Sequence, residues 1–448
     1  MSTPDDALSA DARRAMWSQF LGFGMDAYDM AMVVVLAPLL SRIFAFPTLS
    51  PAGQFLMTAL LYSVTMAARP LGAAFFGHYA DKTGRRFLLL LTIGGVGVLS
   101  AACAIIPTPA QVGLPAAYAI FMSARFLMGC FFGGEYAVGH TFAIEHSPPR
   151  VRGAVGGFIQ SGFPLGYALA SFVVLGASLL LGEDGMQRYG WRLMFLSGIA
   201  PVLLALHLRR LLVESPIFAE AKARGRVEAR PFLALFKPPD LWAFLQVFAF
   251  MTGLFLTDYA VYQFLPNILH GPGKFGMVRY TFIYGVALLG AFLGYNAYGR
   301  LADRWGRRRL TMWYCLYVAA LGVPLYKLLI YAATSRSMGL GLAAAVLAAS
   351  FKLAWGAVPA YLSERFPTRT RSVGVGFGYS AAALVGGAGI TPLVGLLHSR
   401  PAIAAIEGGS ELWLSASAAL TLGAALTWLS LWRSPETKDV DLRAERTA

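Results

Sequence analysis

The sequence predicts an all-α polytopic membrane protein of twelve transmembrane helices in two six-helix bundles, on three observations. Of its 448 residues, 57% are hydrophobic and only 13% charged, about half the charge of an ordinary soluble domain. Apolar runs of roughly twenty residues, each able to cross a hydrocarbon layer of ~30 Å, recur from one end to the other. A charged ten-residue loop recurs at an offset of 222 residues. Such a chain is not a soluble globular enzyme.

The spans are expected at 16–42, 53–77, 87–106, 113–145, 154–181, 191–213, 241–270, 278–300, 310–333, 338–363, 373–397 and 410–432. The first follows Asp5, Asp6 and Asp11 and lacks both a basic leader and a small-residue cleavage site, so it reads as an uncleaved anchor. The second ends at Gly77 and the third restarts near Phe87, which leaves only a short turn between them. Gly162 to Gly166 in the fifth, and Gly374, Gly376 and Gly378 in the eleventh, favour close helix approach. Residues 1–213 form one expected bundle and 241–433 the other. Between them, 214–240 carries Lys222, Arg224, Arg226, Arg230 and Lys237 as a linker, and 434–448 is a tail.

The net charge of +14 is one-sided. With both termini on one side and residues near span ends counted with the side they adjoin, that side holds 26 of the 37 Lys and Arg, the opposite side 8, and 3 lie deep within spans. The positive-inside rule makes that side the cytoplasm of a plasma (inner) membrane protein, so the basicity records orientation and not a nucleic-acid partner. Cys103, Cys130 and Cys315 all fall in apolar runs, so no disulfide framework can be read.

The repeat is the most informative internal feature. Gly77-His78-Tyr79-Ala80-Asp81-Lys82-Thr83-Gly84-Arg85-Arg86 matches Gly299-Arg300-Leu301-Ala302-Asp303-Arg304-Trp305-Gly306-Arg307-Arg308 at six of ten positions. Glu145, Pro148, Arg150 and Arg152 are echoed by Glu364, Pro367, Arg369 and Arg371 at an offset of 219, and Glu214-Ser215-Pro216 by Ser434-Pro435-Glu436. Six spans per half make the repeat parallel, about an axis along the membrane normal. The glycines permit close approach and positive φ, Asp81 is placed to bond helix N-termini across the seam, and Arg85 and Arg86 to pair with carboxylates such as Glu145. The candidate gate therefore comprises Gly77, Asp81, Gly84, Arg85, Arg86, Glu145, Gly299, Asp303, Gly306, Arg307 and Glu364.

These loops resemble the signature motif of the major facilitator superfamily, which implies that family's fold. Ala68-Arg69-Pro70-Leu71-Gly72, Gly133-Gly134-Glu135-Tyr136, Glu145-His146-Ser147-Pro148-Pro149, Glu214-Ser215-Pro216-Ile217-Phe218-Ala219-Glu220 and Phe366-Pro367-Thr368-Arg369 with Gly378-Tyr379 are similar to its metabolite:proton symporters. The resemblance implies proton-coupled uptake of organic acids or zwitterionic osmolytes. Asp26-Ala27-Tyr28-Asp29 departs from that family's usual Glu-Trp-Tyr-Asp and leans towards aromatic-acid and sialic-acid symporters; Met128 stands where the superfamily often has Gln.

An ionisable residue at mid-helix costs about 2.5 to 3.5 kcal/mol on insertion, so each needs a partner, a wet cavity or a function. Asp26 and Asp29 share one helix face, and Asp26 lies about 14 Å into its span. With Glu135 they are the candidate proton sites, and Arg69 and Arg125 their partners. His140 reads as a packing residue. Lys352 is the counter-charge expected for a substrate anion, with Tyr28, Asp258, Tyr262 and Trp355 beside it and Tyr259, Phe264 and Tyr379 as further aromatic lining.

No Walker loop, His-Glu-x-x-His, Cys-x-x-Cys or Gly-x-Ser-x-Gly occurs, so no cofactor is expected. The expected function is that of a monomeric secondary transporter importing a small organic acid, a mono- or dicarboxylate, with protons by alternating access. Its alternatives are a symporter of zwitterionic osmolytes such as betaine or proline and, from another class, a transporter-like membrane solute sensor. Gates repeated in both halves favour transport over sensing.

Overall fold

Ser9 accepts the Ala12 amide at 3.1 Å and Asp11 occupies the first turn, so helix α1 (Ala10–Ile43) starts where a side chain satisfies an orphan N–H. In this computed structural model residues 8–443 are described, except 45, 47–49, 263–264, 271–272, 401, 404–405 and 407–412. Every regular element among them is helical. The first half continues with α2 (Pro51–Thr83), α3 (Arg86–Ile105), α4 (Leu114–Glu145), α5 (Arg152–Gly185), α6 (Trp191–Ser197) and α7 (Ile199–Arg210). The second comprises α8 (Asp240–Tyr262), α9 (Met277–Trp305), α10 (Arg307–Thr334), α11 (Met338–Ser350), α12 (Val358–Arg365), α13 (Arg371–Ala382), α14 (Ala388–His398) and α15 (Trp413–Trp432).

Nine helical stretches among the described residues are long and apolar enough to cross a membrane, or ten if Met338–Ser350 and Leu353–Arg365, bent by 41°, form one span. The expected spans differ from the helices in three places. The seventh stops at Tyr262, with a separate short helix over Leu265–His270. The tenth breaks into a 3₁₀ turn at Leu353–Ala357, next to Pro359, which has no N–H for the carbonyl four residues back. The eleventh is interrupted by a π turn at Ala383–Gly387. The expected linker is also not a bare loop, since it folds Pro216–Ala223 and Pro231–Ala234 as short helices.

Two matched turns reverse the chain. Gly84 (φ 125°) separates α2 from α3 and Gly306 (φ 94°) separates α9 from α10, both in a region that disfavours any side chain. Within the halves α1 lies on α5, α2 on α4 and α8 on α15; across them α5 lies on α9 and α2 on α13. At the α5 and α9 crossing a Cβ on Gly153 would overlap the Gly299 carbonyl, and one on Gly299 the Gly153 carbonyl. The first half keeps a core of its own around Tyr28, Phe121 and Phe195. Phe23, Met30, Met66 and Tyr136 instead join the second half's core, which brings the seam to their side chains.

Candidate functional site

The charged groups at the centre come in pairs. Asp26 on α1 accepts from Arg69 of α2, both buried, and the same guanidinium lies 3.1 Å from Met30 Sδ and 5.5 Å from the Phe132 ring centre. One turn on, Asp29 takes Arg125 Nη1 of α4 on both oxygens, at 2.8 and 2.7 Å. In the second half Lys352 Nζ is 2.7 Å from Asp258 Oδ1, 4.2 Å from the Tyr262 ring centre and 5.8 Å from that of Phe163, which belongs to α5. Every buried Lys and Arg among the described residues has a carboxylate within 4.0 Å.

Two expectations are corrected here. Glu135 is not partnered by Arg69 or Arg125; Arg209 of α7 grips both its oxygens, with Nη1 at 2.8 Å from Oε2, and Thr92 Oγ1 donates at 2.8 Å. Arg209 also donates to Leu89 O (2.6 Å) and Ser18 Oγ (3.1 Å). Glu135 lies about 15 Å along α4 from Arg125, too far for a shared partner. Nothing in the sequence singled out Arg209; its only signal was its place some four residues inside the expected boundary of its span. The second correction is that Lys352, at the break after α11, is not a free counter-charge but is held by Asp258, since neither buried charge can be left alone. Tyr28 packs in the first half's own core, with its hydroxyl 2.6 Å from Ser197 Oγ.

Between the charge pairs lies an aromatic column. His140 stacks on Tyr136 (centroids 3.9 Å apart) and Tyr136 on Tyr379 of α13 (3.5 Å, 16° between planes), while Phe255 and Trp355 meet Tyr379 edge-on at 5.1 and 6.2 Å. His140 Nδ1 is 3.1 Å from Gln19 Nε2. Tyr262 donates its hydroxyl to Ala287 O at 3.0 Å. Phe264 lies outside the described residues. Tyr136 entered the sequence reading only as part of a family motif, since nothing in a lone tyrosine of an apolar helix marks which neighbour it faces.

The repeated loops meet helix starts of the opposite half. Asp81 Oδ1 accepts from Ser372 N (3.0 Å) and Oδ2 from Val373 N (2.9 Å), in the first turn of α13. Asp303 accepts from Gly153 N and Ala154 N, both at 2.7 Å, in the first turn of α5. A carboxylate there complements the partial positive charge of the helix end. Behind each stands a buried network. Arg85 pairs with Asp81 (3.3 Å) and Glu145 (3.1 Å), and Arg371 reaches Glu145 at 2.6 Å; Arg307 pairs with Asp303 (3.0 Å) and Glu364 (3.1 Å), with Arg152 at 3.9 Å. Arg86 is an exception to the expected pairing, because its side chain turns to the Arg210 carbonyl at 3.3 Å. Gly77 packs on the Val373 backbone, where a Cβ would be 2.7 Å from Val373 Cα.

The third sequence echo also has a physical role. Glu214 accepts from Arg85 N and Arg86 N, and Glu436 from Arg307 N, Arg308 N and Arg309 N, so each caps the helix that follows its glycine turn. The segment after Glu436 then crosses between halves. Thr437 donates to Glu364 (2.8 Å), Arg152 to Val440 O (2.6 Å), and Arg371 to Leu442 O (3.0 Å), while the Leu442 side chain joins a first-half cluster with Ala15.

The family model described as the Major Facilitator Superfamily matches residues 19–390. The chain belongs to this superfamily. It is a multi-pass membrane transport protein and not an enzyme. Among curated proteins it is 28% identical to a glycine betaine/proline/ectoine/pipecolic acid transporter of Dickeya dadantii, over 85% of this chain and 76% of that one. It is 29% identical to a shikimate transporter of Escherichia coli, over 86% and 87%. The fold matches the proton:xylose symporter XylE bound to 6-bromo-6-deoxy-D-glucose with a TM-score of 0.78, at 18% identity and covering 96% of this chain and 98% of the other.

Proposed function

We propose that this chain is a proton-coupled symporter of the plasma membrane that imports a small zwitterionic solute of the betaine or proline kind by alternating access. The pairing of Lys352 with Asp258 beside the Tyr262 ring carries this reading. An anion entering a site whose buried cations are all engaged would have to strip a carboxylate of its partner and leave it buried, at about 3 to 5 kcal/mol. A zwitterion exchanges partners instead: its carboxylate takes Lys352, its cation takes Asp258 and an aromatic face. The organic-acid expectation therefore yields to the zwitterionic one, in line with the name of the Dickeya dadantii relative.

Proton coupling belongs in this reading to Asp26 and Asp29. Asp26 Oδ2 is buried without a hydrogen bond among the described residues, whereas both Glu135 oxygens are bonded, which suits Glu135 to a static clamp. The two-bundle division at 1–213 and 241–433 with twelve spans fits the helices. The 62-residue stretch Pro149–Arg210 would cross twice, breaking near Gly182 (φ 67°), and α2 and the bent pair would each cross once. Both termini would be cytoplasmic by the positive-inside rule. The loops holding Asp81 and Asp303 would then close the cytoplasmic side, leaving the opposite side to admit solute.

The test is uptake into proteoliposomes under an imposed inward proton gradient, offering glycine betaine, proline and shikimate. Accumulation of the zwitterions, abolished by a protonophore, is expected. Accumulation of shikimate alone would reverse the charge assignment, and uphill uptake that survives the protonophore would end proton coupling.

A further inference from the structure

Several polar side-chain atoms at the seam are buried with no hydrogen-bond partner among the described residues. Three are donors or can donate, the Tyr136 hydroxyl, Trp355 Nε1 and Arg69 Nε; one is an acceptor, Asp26 Oδ2. Tyr136 is 1% exposed and Trp355 3%. A donor left unmet at that depth carries the full cost of its desolvation, so such an atom calls for a ligand or a water.

Two of these donors come from different halves. Tyr136 stands on α4 in the first half, and Trp355 on the broken turn after α11 in the second. Both touch Tyr379, at 3.5 and 6.2 Å between ring centres, so their own centres are at most about 10 Å apart. Indole N–H only donates, so this pole of the site fits an acceptor and not a cation. Trp355 is also three residues from Lys352, which places the indole donor and the ammonium on one turn of chain.

We infer that the Tyr136 hydroxyl and the Trp355 indole N–H hold the carboxylate of the transported solute between the two halves, together with Lys352. This rests on the zwitterionic reading and adds to it an orientation: the carboxylate towards Tyr136 and Trp355, the cationic end towards Asp258 and the Tyr262 ring. Ligand contacts to both halves also give the solute a grip on their relative position, which a transporter requires.

Calorimetric titration of glycine betaine and of choline, which keeps the quaternary ammonium but has a hydroxyl in place of the carboxylate, separates the outcomes. Tyr136→Phe keeps the ring stack and loses only the hydroxyl. It should weaken betaine binding about tenfold or more, as expected for one buried hydrogen bond to a charged group, and change choline binding by less than about twofold. Choline that fails to bind even the wild-type protein marks the carboxylate as the group held and supports the assignment. Trp355→Phe serves as the second variant, with the same expected contrast. Betaine affinity unchanged in Tyr136→Phe overturns the assignment while leaving the zwitterionic reading intact, and so does an equal loss for both ligands. A wild-type protein that binds neither betaine nor proline removes the reading beneath it.

Discussion

Asp81→Asn should open the loop side of the protein. In the structure each Asp81 oxygen takes one amide from the first turn of α13, at 3.0 and 2.9 Å. An asparagine offers a single acceptor oxygen, so one amide loses its partner, and the remaining bond falls from the charged range, about 1.5 to 3 kcal/mol, to the neutral one, about 0.5 to 1.5 kcal/mol. The attraction of a full charge to the helix end, about 0.3 to 1 kcal/mol, goes too. Arg85 keeps Glu145 at 3.1 Å, so the network behind the gate does not collapse. The closed arrangement should thus lose about 3 to 5 kcal/mol, a factor of at least about 100 in its equilibrium with the open one. Spin labels at exposed Lys82 and Arg304, one on each half and in a background without cysteines, report the separation directly. The variant should gain a long-distance population by that factor. A distance distribution identical to the wild type's would refute a gating role for the Asp81 contact.

Arg209→Met should destabilise the protein by about 3 to 5 kcal/mol, since Glu135 would stay buried with only Thr92 beside it; adding Glu135→Leu should recover most of the loss, which thermal melting in detergent measures. Asp26→Asn, which mimics the protonated carboxyl, should abolish uphill uptake yet preserve solute exchange across proteoliposomes, and retained accumulation would move the proton site elsewhere. Lys352→Met should lose both uptake and exchange, because Asp258 and the solute carboxylate would each lose their cation; betaine affinity within threefold of wild type, by calorimetry, would take Lys352 out of the site. Ending the chain after Lys438 removes the Val440 and Leu442 carbonyls that bind Arg152 and Arg371, and should raise the same long-distance population while leaving betaine affinity unchanged.

What the sequence determined by itself was everything that composition and spacing carry. Membrane residence follows from the shortage of charge, and the loops come in matched pairs because Asp81 and Asp303 sit in the same ten-residue pattern. That the carboxylates at 26 and 29 share a helix face follows from helical period alone. Partner choice could not be read this way, because it depends on the height and rotation of helices far apart in sequence. Glu135 and Arg209 are 74 residues apart and meet because α7 packs beside α3 and α1, a fact no local pattern encodes. The same holds for the stack of Tyr136 on Tyr379, which exists only once the two halves close on each other. The break at Leu353–Ala357 was hidden inside an apolar run, since hydropathy does not distinguish a straight helix from a bent one; yet Lys352, which pairs with Asp258, sits at that break. Charge and periodicity are properties of the chain, whereas which buried charge neutralises which is decided by the cost of leaving any of them alone in a packed, water-poor interior.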